Sequence, residues 1–270
     1  MATRSLAALL LGLAAPLGAQ ESSEPRMLLS LFGGVSTGAP LWEVNRQPLF
    51  VLGTELAPRY DTLRISRRLN AGFALGITGT VFRSATLGLS GEMLFLGLTT
   101  DDACEMAYET PGADAQRRNA QVCSDIAGRS RTPTTVALSF GGMYRPFPRA
   151  AVSPYLRAQA GFGIRSGGVV EMTGAFGQGS GRQQRLVVNG NGGTSIIPTG
   201  AIGAGLLTAL GPGYQLRLEL RNQVMAMPRV TGPADQLNGA AAPTTSTFRQ
   251  NFVLTAGLDI VLEQKRGRRY

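Results

Sequence analysis

The segment from Phe248 to Glu263 reads FRQNFVLTAGLDIVLE, and the direction its two faces point decides the fold. At period two, Phe252, Leu254, Ala256, Leu258, Ile260 and Leu262 share one face. Asn251, Thr255, Gly257, Asp259 and Glu263 share the other, where only Val253 and Val261 are apolar. Successive strand side chains point to opposite sides, so this is a strand with one greasy and one polar face. A soluble barrel or sandwich turns the greasy face inward. A membrane barrel turns it outward, toward lipid.

Working outward from this strand, the same period recurs along the chain. Tyr214, Leu216, Leu218, Leu220 and Val224 alternate with Gln215, Arg217, Glu219, Arg221 and Gln223, after a turn at Gly211-Pro212-Gly213. Further strands are expected over Met27 to Val35, Thr86 to Thr99, Thr135 to Arg145, Tyr155 to Arg165 and Ile197 to Leu210. One more long strand is expected where Leu63, Ile65, Leu69, Ala71, Phe73, Leu75, Ile77 and Val81 share one parity, interrupted by Arg67 and Gly79. Counted together these make eight strands, and no helix-period segment competes with them.

The connections alternate between long and short. Residues 36–60, 100–133, 170–195 and 227–247 read as long polar or Gly/Pro-rich loops, and the intervening links are tight. Short turns at one end with long loops at the other are a mark of membrane barrels. Strand length points the same way. The expected strands run well past the usual five or six residues, whereas a tilted membrane strand needs roughly 9–11.

With the greasy faces outward, Glu92, Arg145, Arg157, Arg165, Arg217, Glu219, Arg221, Asp259 and Glu263 point into the lumen. An Arg facing lipid at mid-membrane costs ~2–4 kcal/mol, so alternation specifies the register strongly. These charges read either as the lining of a selective pore or as an ion-pair network filling a narrow barrel. Phe82, Tyr144, Phe147, Tyr155 and Tyr214 gather near the short turns and are expected to form an interfacial girdle.

Composition narrows the function classes. The chain has 270 residues, 36 of them Gly, with 43% apolar and 16% charged residues, enough for one large β domain. The net charge of +9 comes almost wholly from scattered Arg, and the one tight basic cluster is Lys265, Arg266, Arg268 and Arg269. A nucleic-acid binder needs a basic face with interleaved aromatics, which is missing. Residues 1–19 read as a cleaved secretory signal peptide, with Arg4 ahead of an apolar run from Leu6 to Ala15. Residues 20–26 then form a short periplasmic lead, 27–263 the barrel and 264–270 a basic periplasmic tail. No later stretch offers the ~20 apolar residues of a spanning helix.

Chemistry-bearing motifs are sparse. The sequence contains no His, which excludes Ser-His hydrolase chemistry and removes the commonest metal ligand. Its two Cys cannot build a zinc cage. Gly161-Phe162-Gly163 and Gly203-Ala204-Gly205 sit inside strands rather than at strand-to-helix turns, so they are not phosphate cradles. Cys104 and Cys123 lie in one long loop of an exported chain and are expected to form a disulfide. No cofactor, metal or catalytic residue is expected.

Over residues 27–263 the chain resembles the small eight-stranded bacterial outer-membrane β-barrels of the OmpA/OmpX type. Thr255, Gly257, Ile260 and Leu262 resemble that family's assembly signal, which the barrel-assembly machinery recognises. The pattern departs in one respect, since the usual terminal aromatic is replaced by Glu263 and the residues after it. The resemblance implies an outer-membrane location with membrane lipids and the assembly machinery as partners. It names no ligand. The expected role is non-enzymatic, structural or surface-interacting through the long loops. The alternatives are a narrow pore for small solutes and a soluble exported lipid-binding barrel.

Overall fold

A computed structural model of the chain describes residues 27–51, 59–166, 170–177, 183–188, 194–235 and 240–262. The stretch 1–19 expected to be a signal peptide, the segment 20–26, Glu263 and the basic stretch 264–270 lie outside the described residues. The strands are β1 (Met27–Ser36), β2 (Pro40–Val51), β3 (Arg59–Leu69), β4 (Gly72–Phe82), β5 (Leu87–Gly97), β6 (Thr100–Tyr108) and β7 (Ser130–Arg131). They continue with β8 (Thr134–Tyr144), β9 (Val152–Arg165), β10 (Met172–Phe176), β11 (Gln183–Val188), β12 (Ser195–Gly211), β13 (Tyr214–Val230) and β14 (Thr244–Leu262). One helix, α1 (Ala113–Ala127), follows β6.

Eight of these strands close a barrel in the order β1-β14-β13-β12-β9-β8-β5-β4, each antiparallel to its neighbours. The first and last strands seal it, with Met27 opposite Leu262 and Ser36 opposite Val253. Closure leaves no open edge around the wall, which a hydrocarbon environment demands of any sheet. The links β4–β5, β8–β9 and β12–β13 are all short and lie at one end, and Gly213 takes φ 80° in the last of these turns. The other four connections are long and lie at the opposite end.

The burial pattern settles which face meets what. Leu31, Leu89, Phe140, Leu220, Phe252 and Leu254 point out of the barrel and are exposed, Phe140 by 69%. Ser30, Thr78, Ser90, Glu92, Ser139, Arg157, Arg217, Glu219, Thr255 and Asp259 point in and are buried. An exterior this apolar around an interior this polar is the reverse of a water-soluble barrel. Only lipid matches it.

Two close approaches seat the seam strand. A Cβ on Gly257 would lie 2.6 Å from the Cβ of Phe32 and 2.7 Å from the Leu31 carbonyl, and one on Gly76 would lie 2.3 Å from the Phe32 ring. The Phe32 side chain thus crosses the lumen wall where both neighbouring strands carry no side chain.

The structure corrects several expectations. The run from Leu63 to Val81 is not one strand. It breaks at Asn70-Ala71 into β3 and β4, which belong to different sheets. Leu63, Ile65 and Leu69 are buried in a separate sheet at the long-loop end, while Phe73, Leu75, Ile77 and Val81 face lipid. Shared parity hid the break because either environment rewards an apolar residue at every second position. The loops at 36–60 and 100–133 also carry structure of their own, namely β2 in the first and β6, α1 and β7 in the second. Helix α1 leaves only a faint apolar period in the sequence because it buries a thin stripe, Asn119, Val122 and Ile126, and is otherwise polar. Phe82 and Tyr155 turn inward and are buried, so they do not join the exterior girdle with Tyr144, Phe147 and Tyr214.

A closed barrel of this kind should run anomalously fast on a gel unless boiled, and equal mobility before and after boiling would rule out the closed form. Gly257→Val should weaken that compact form by about 1–3 kcal/mol, the cost of overpacking. The readout is the fraction still resisting unfolding as temperature rises.

Candidate functional site

The barrel wall divides its lumenal face unequally. On β1, β4, β5 and β8 the inward positions hold small hydroxyls, Ser30, Thr78, Thr80, Ser90 and Ser139, with Glu92 among them. On β9 and β13 they hold Arg157, Arg217 and Arg221. An eight-stranded barrel is just wide enough for side chains to fill, so long arginines from one wall need short residues on the other.

The charges then meet in the centre. Glu92 accepts from Arg157, Arg221 and, at 3.0 Å, Thr78. Glu219 lies 2.9 Å from Arg221 and 3.4 Å from Arg157, and accepts from the Tyr155 hydroxyl at 2.6 Å. Arg217 pairs with Asp259 at 3.0 Å. Three arginines thus face three carboxylates, and the lattice is neutral. The rings of Tyr155 and Phe32 flank it, at 5.7 Å from Arg217 and 5.0 Å from Arg221. Burial makes each member dependent on the others, since a charge left alone there is costly.

Two arginines read from the sequence as lumenal stand apart from this lattice. Arg145 lies at the short-turn end, 4.5 Å over the Phe82 ring and donating to the Ala85 carbonyl at 3.1 Å. Arg165 lies at the long-loop end, donating to the Ser195 hydroxyl at 2.9 Å. Below the lattice Leu28, Phe82, Met143, Tyr155 and Leu207 form a small apolar plug. Above it Phe32, Ala74, Leu94, Leu96 and Val253 begin a larger apolar cluster that continues out of the barrel.

That larger cluster is the core of a cap over the long-loop end. A four-stranded sheet, β2-β3-β6-β7, contributes Leu41, Trp42, Val44, Leu49, Leu63 and Ile65. Helix α1 adds Val122 and Ile126 and packs on β6 and on the β10–β11 hairpin. Polar anchors hold it in register. Arg67 makes a two-pronged pair with Asp102 at 2.6 and 2.7 Å, and its guanidinium sits 5.5 Å over Trp42. Asp61 accepts from the Thr110 backbone and hydroxyl, both at 2.7 Å, and from Asn119. Gln47 clips both backbone groups of Ala234, donating at 3.1 Å and accepting at 2.8 Å. Cys104 on β6 and Cys123 on α1 are joined by a disulfide.

The cap anchors were hidden in the sequence, because Arg67, Asp61, Asn119 and Gln47 meet partners far along the chain. Only Asn119, Val122, Cys123 and Ile126 carried a local signal, a helical spacing. The four residues that resemble an assembly signal take mixed places on β14: Thr255 is buried in the lumen, Gly257 lies against Phe32, and Ile260 and Leu262 face outward. Among the described residues no cluster of three or more His, Cys, Asp or Glu is placed to hold a metal ion.

A closed eight-stranded barrel, apolar outside and charged within, defines a transmembrane β-barrel of the outer-membrane type. No family model matches the sequence, and no curated protein matches it. Solved structures of similar shape include the Neisserial surface protein NspA, at 10% identity and TM-score 0.42, covering 89% of this chain and 100% of that one. The outer membrane protein OprG from Pseudomonas aeruginosa is similar at 8% identity and TM-score 0.43, covering 89% and 99%. The outer membrane protease OmpT from Escherichia coli is similar at 10% identity and TM-score 0.38, covering 91% and 100%. Identities this low carry no activity or ligand from those proteins to this chain.

The lattice and the surface pairs should differ sharply in a stability measurement. Glu92→Ala leaves two buried guanidinium groups sharing the single carboxylate of Glu219 and should cost about 3–5 kcal/mol, whereas Glu43→Ala, which breaks the exposed pair with Arg64, should cost about 0–1 kcal/mol. Urea unfolding in lipid vesicles reads both, and equal losses would rule out the lattice as a stabilising unit. Removing the disulfide with Cys104→Ser and Cys123→Ser should loosen the cap by about 3 kcal/mol. Protease digestion should then cut within 100–133 while the boiled-versus-unboiled gel shift persists.

Proposed function

We propose that this protein is a non-enzymatic outer-membrane surface protein whose working part is the cap, presented to the extracellular side on a filled barrel. The observation that carries this reading is the cap itself. Its apolar core is continuous with the upper lumen, and it is locked by a disulfide and by the Arg67–Asp102 pair. A chain that needed only to span the membrane could close its strands with short loops. The neutral lattice and the apolar plug beneath it support a barrel that holds the cap rather than one that conducts. The absence of His from the sequence supports a role without acid–base catalysis near neutral pH.

Export through a signal peptide at 1–19 and insertion through Thr255, Gly257, Ile260 and Leu262, read by the barrel-assembly machinery, complete the proposal. Both fit a chain whose last strand must pair with its first to close the wall.

Two measurements test it. Purified protein in planar bilayers should give no steady open conductance, and a stable single-channel current would favour the pore reading instead. On intact cells, trypsin should cut at Arg117, exposed on α1, once the disulfide variant has loosened the cap. Cleavage only after the outer membrane is breached would place the cap on the periplasmic side and overturn the surface role.

A further inference from the structure

The β12–β13 ladder stops short of the long-loop end of the wall, and two prolines explain why. The Gly213 carbonyl accepts from the Val261 backbone N–H at 2.8 Å and the Glu219 carbonyl from the Thr255 hydroxyl at 3.4 Å, both on β14, while the Val224 carbonyl accepts from the Thr199 hydroxyl on β12 at 3.1 Å. Odd-numbered residues of β13 therefore bond to β14 and even-numbered ones to β12, as alternation in an antiparallel ladder requires. Gly200 and Val224 are such a pair. Continuing that register, the next two hydrogen-bonding pairs would be Pro198 with Ala226 and Ile196 with Pro228. Each contains a residue with no N–H to give.

The ladder accordingly ends at Thr199–Met225. Beyond it β12 continues to pair with β9 as far as Ser195–Arg165, and β13 continues to pair with β14 as far as Val230–Thr244. The outer margins of this seam are apolar. Ile196 is 74% exposed and Phe248 66%, with Phe162 and Ile164 also exposed on β9. On the inner side Ile197, Met225 and Met227 are buried.

Arg165 stands behind the seam. It is only 8% exposed, its Nη2 donates to Ser195 at 2.9 Å, its Nη1 meets the Met227 sulfur at 3.7 Å, and its Nε has no partner. Arg157, Arg217 and Arg221 each meet a carboxylate, but among the described residues none pairs with Arg165. The neighbouring connection, residues 166–194, contains a single carboxylate, Glu171, which lies 3.8 Å from Arg131. A buried guanidinium with a hydroxyl and a thioether for company lacks the counter-charge it needs.

We infer that Arg165 is the headgroup site for an anionic single-chain amphiphile, a fatty carboxylate or an alkyl phosphate, whose tail leaves through the seam between Ile196 and Phe248 into lipid. A small soluble anion would gain nothing from the methionine and isoleucine walls. A neutral lipid would leave the guanidinium unpaired. Only a molecule with both parts satisfies both features.

The test titrates laurate and dodecyl phosphate calorimetrically into the full-length protein in non-ionic detergent, with 1-dodecanol and inorganic phosphate as partial ligands. One saturable site for either amphiphile is expected, and the stronger of the two identifies a carboxylate or a phosphate source. Arg165→Gln should weaken it by about tenfold or more, the usual weight of a buried charge-assisted contact. Arg165→Lys should retain most of the binding, and Arg68→Gln on the exposed cap should leave it unchanged. Should Arg165→Gln fail to fold, Pro198→Val with Pro228→Val provides an independent arm. That pair restores both donors, closes the seam and is expected to abolish uptake with Arg165 in place. Equal binding of dodecanol, equal binding of inorganic phosphate, non-saturable uptake alone, or undiminished binding in the double proline variant would each overturn the proposal.

Discussion

The structure depends on a charge lattice that can exist only because the barrel is closed around it. Arg157, Arg217 and Arg221 cannot face hydrocarbon and have no bulk water within reach, so each must find a carboxylate inside the wall. Glu92 on β5 reaches across the lumen to Arg157 on β9 and Arg221 on β13, whereas Arg217 and Asp259 lie on the neighbouring strands β13 and β14. The cross-lumen pairs of Glu92 therefore form only when the wall has curled round far enough to bring β5 opposite β13. Register, closure and lumen filling are one event seen from three sides.

From that centre the two ends of the lumen diverge. Toward the short turns, Arg145 over Phe82 and the plug around Leu28 and Leu207 close the interior with few residues. Toward the long loops, apolar residues replace charges and the core grows outward into the cap. The cap is held from below by that shared core and from within by Arg67–Asp102, Asp61 and the disulfide. Rigidity in the membrane is thus continued into the part that leaves it. The wall relaxes at the β12–β13 seam, where Pro198 and Pro228 end the ladder and Arg165 waits without a carboxylate.

What the sequence made legible was the wall. Strict alternation on β13 and β14 required one face toward lipid and one toward charge, and the long–short rhythm of the links supplied closure and strand count. Period two is a local property, set by the pleat of a single strand, so it can be read without knowing any partner. The same property is blind to a change of environment. The run through Leu63 and Val81 keeps its parity across a break between two sheets, and the parity of Tyr155 turns it to the lumen, away from the aromatic girdle.

By itself, then, the sequence determined the barrel, its lipid-facing surface and the inventory of charges that had to be inside. The tertiary structure decided which charges meet, that Arg145 and Arg165 stand outside the lattice, and that the long loops fold into a cap containing β2, β3, β6 and α1. The physical reason is range. Alternation and turn length are imposed within a few residues, whereas an ion pair such as Arg221–Glu92, or the grip of Gln47 on Ala234, joins positions more than a hundred residues apart. Only closing the wall brings such partners within reach.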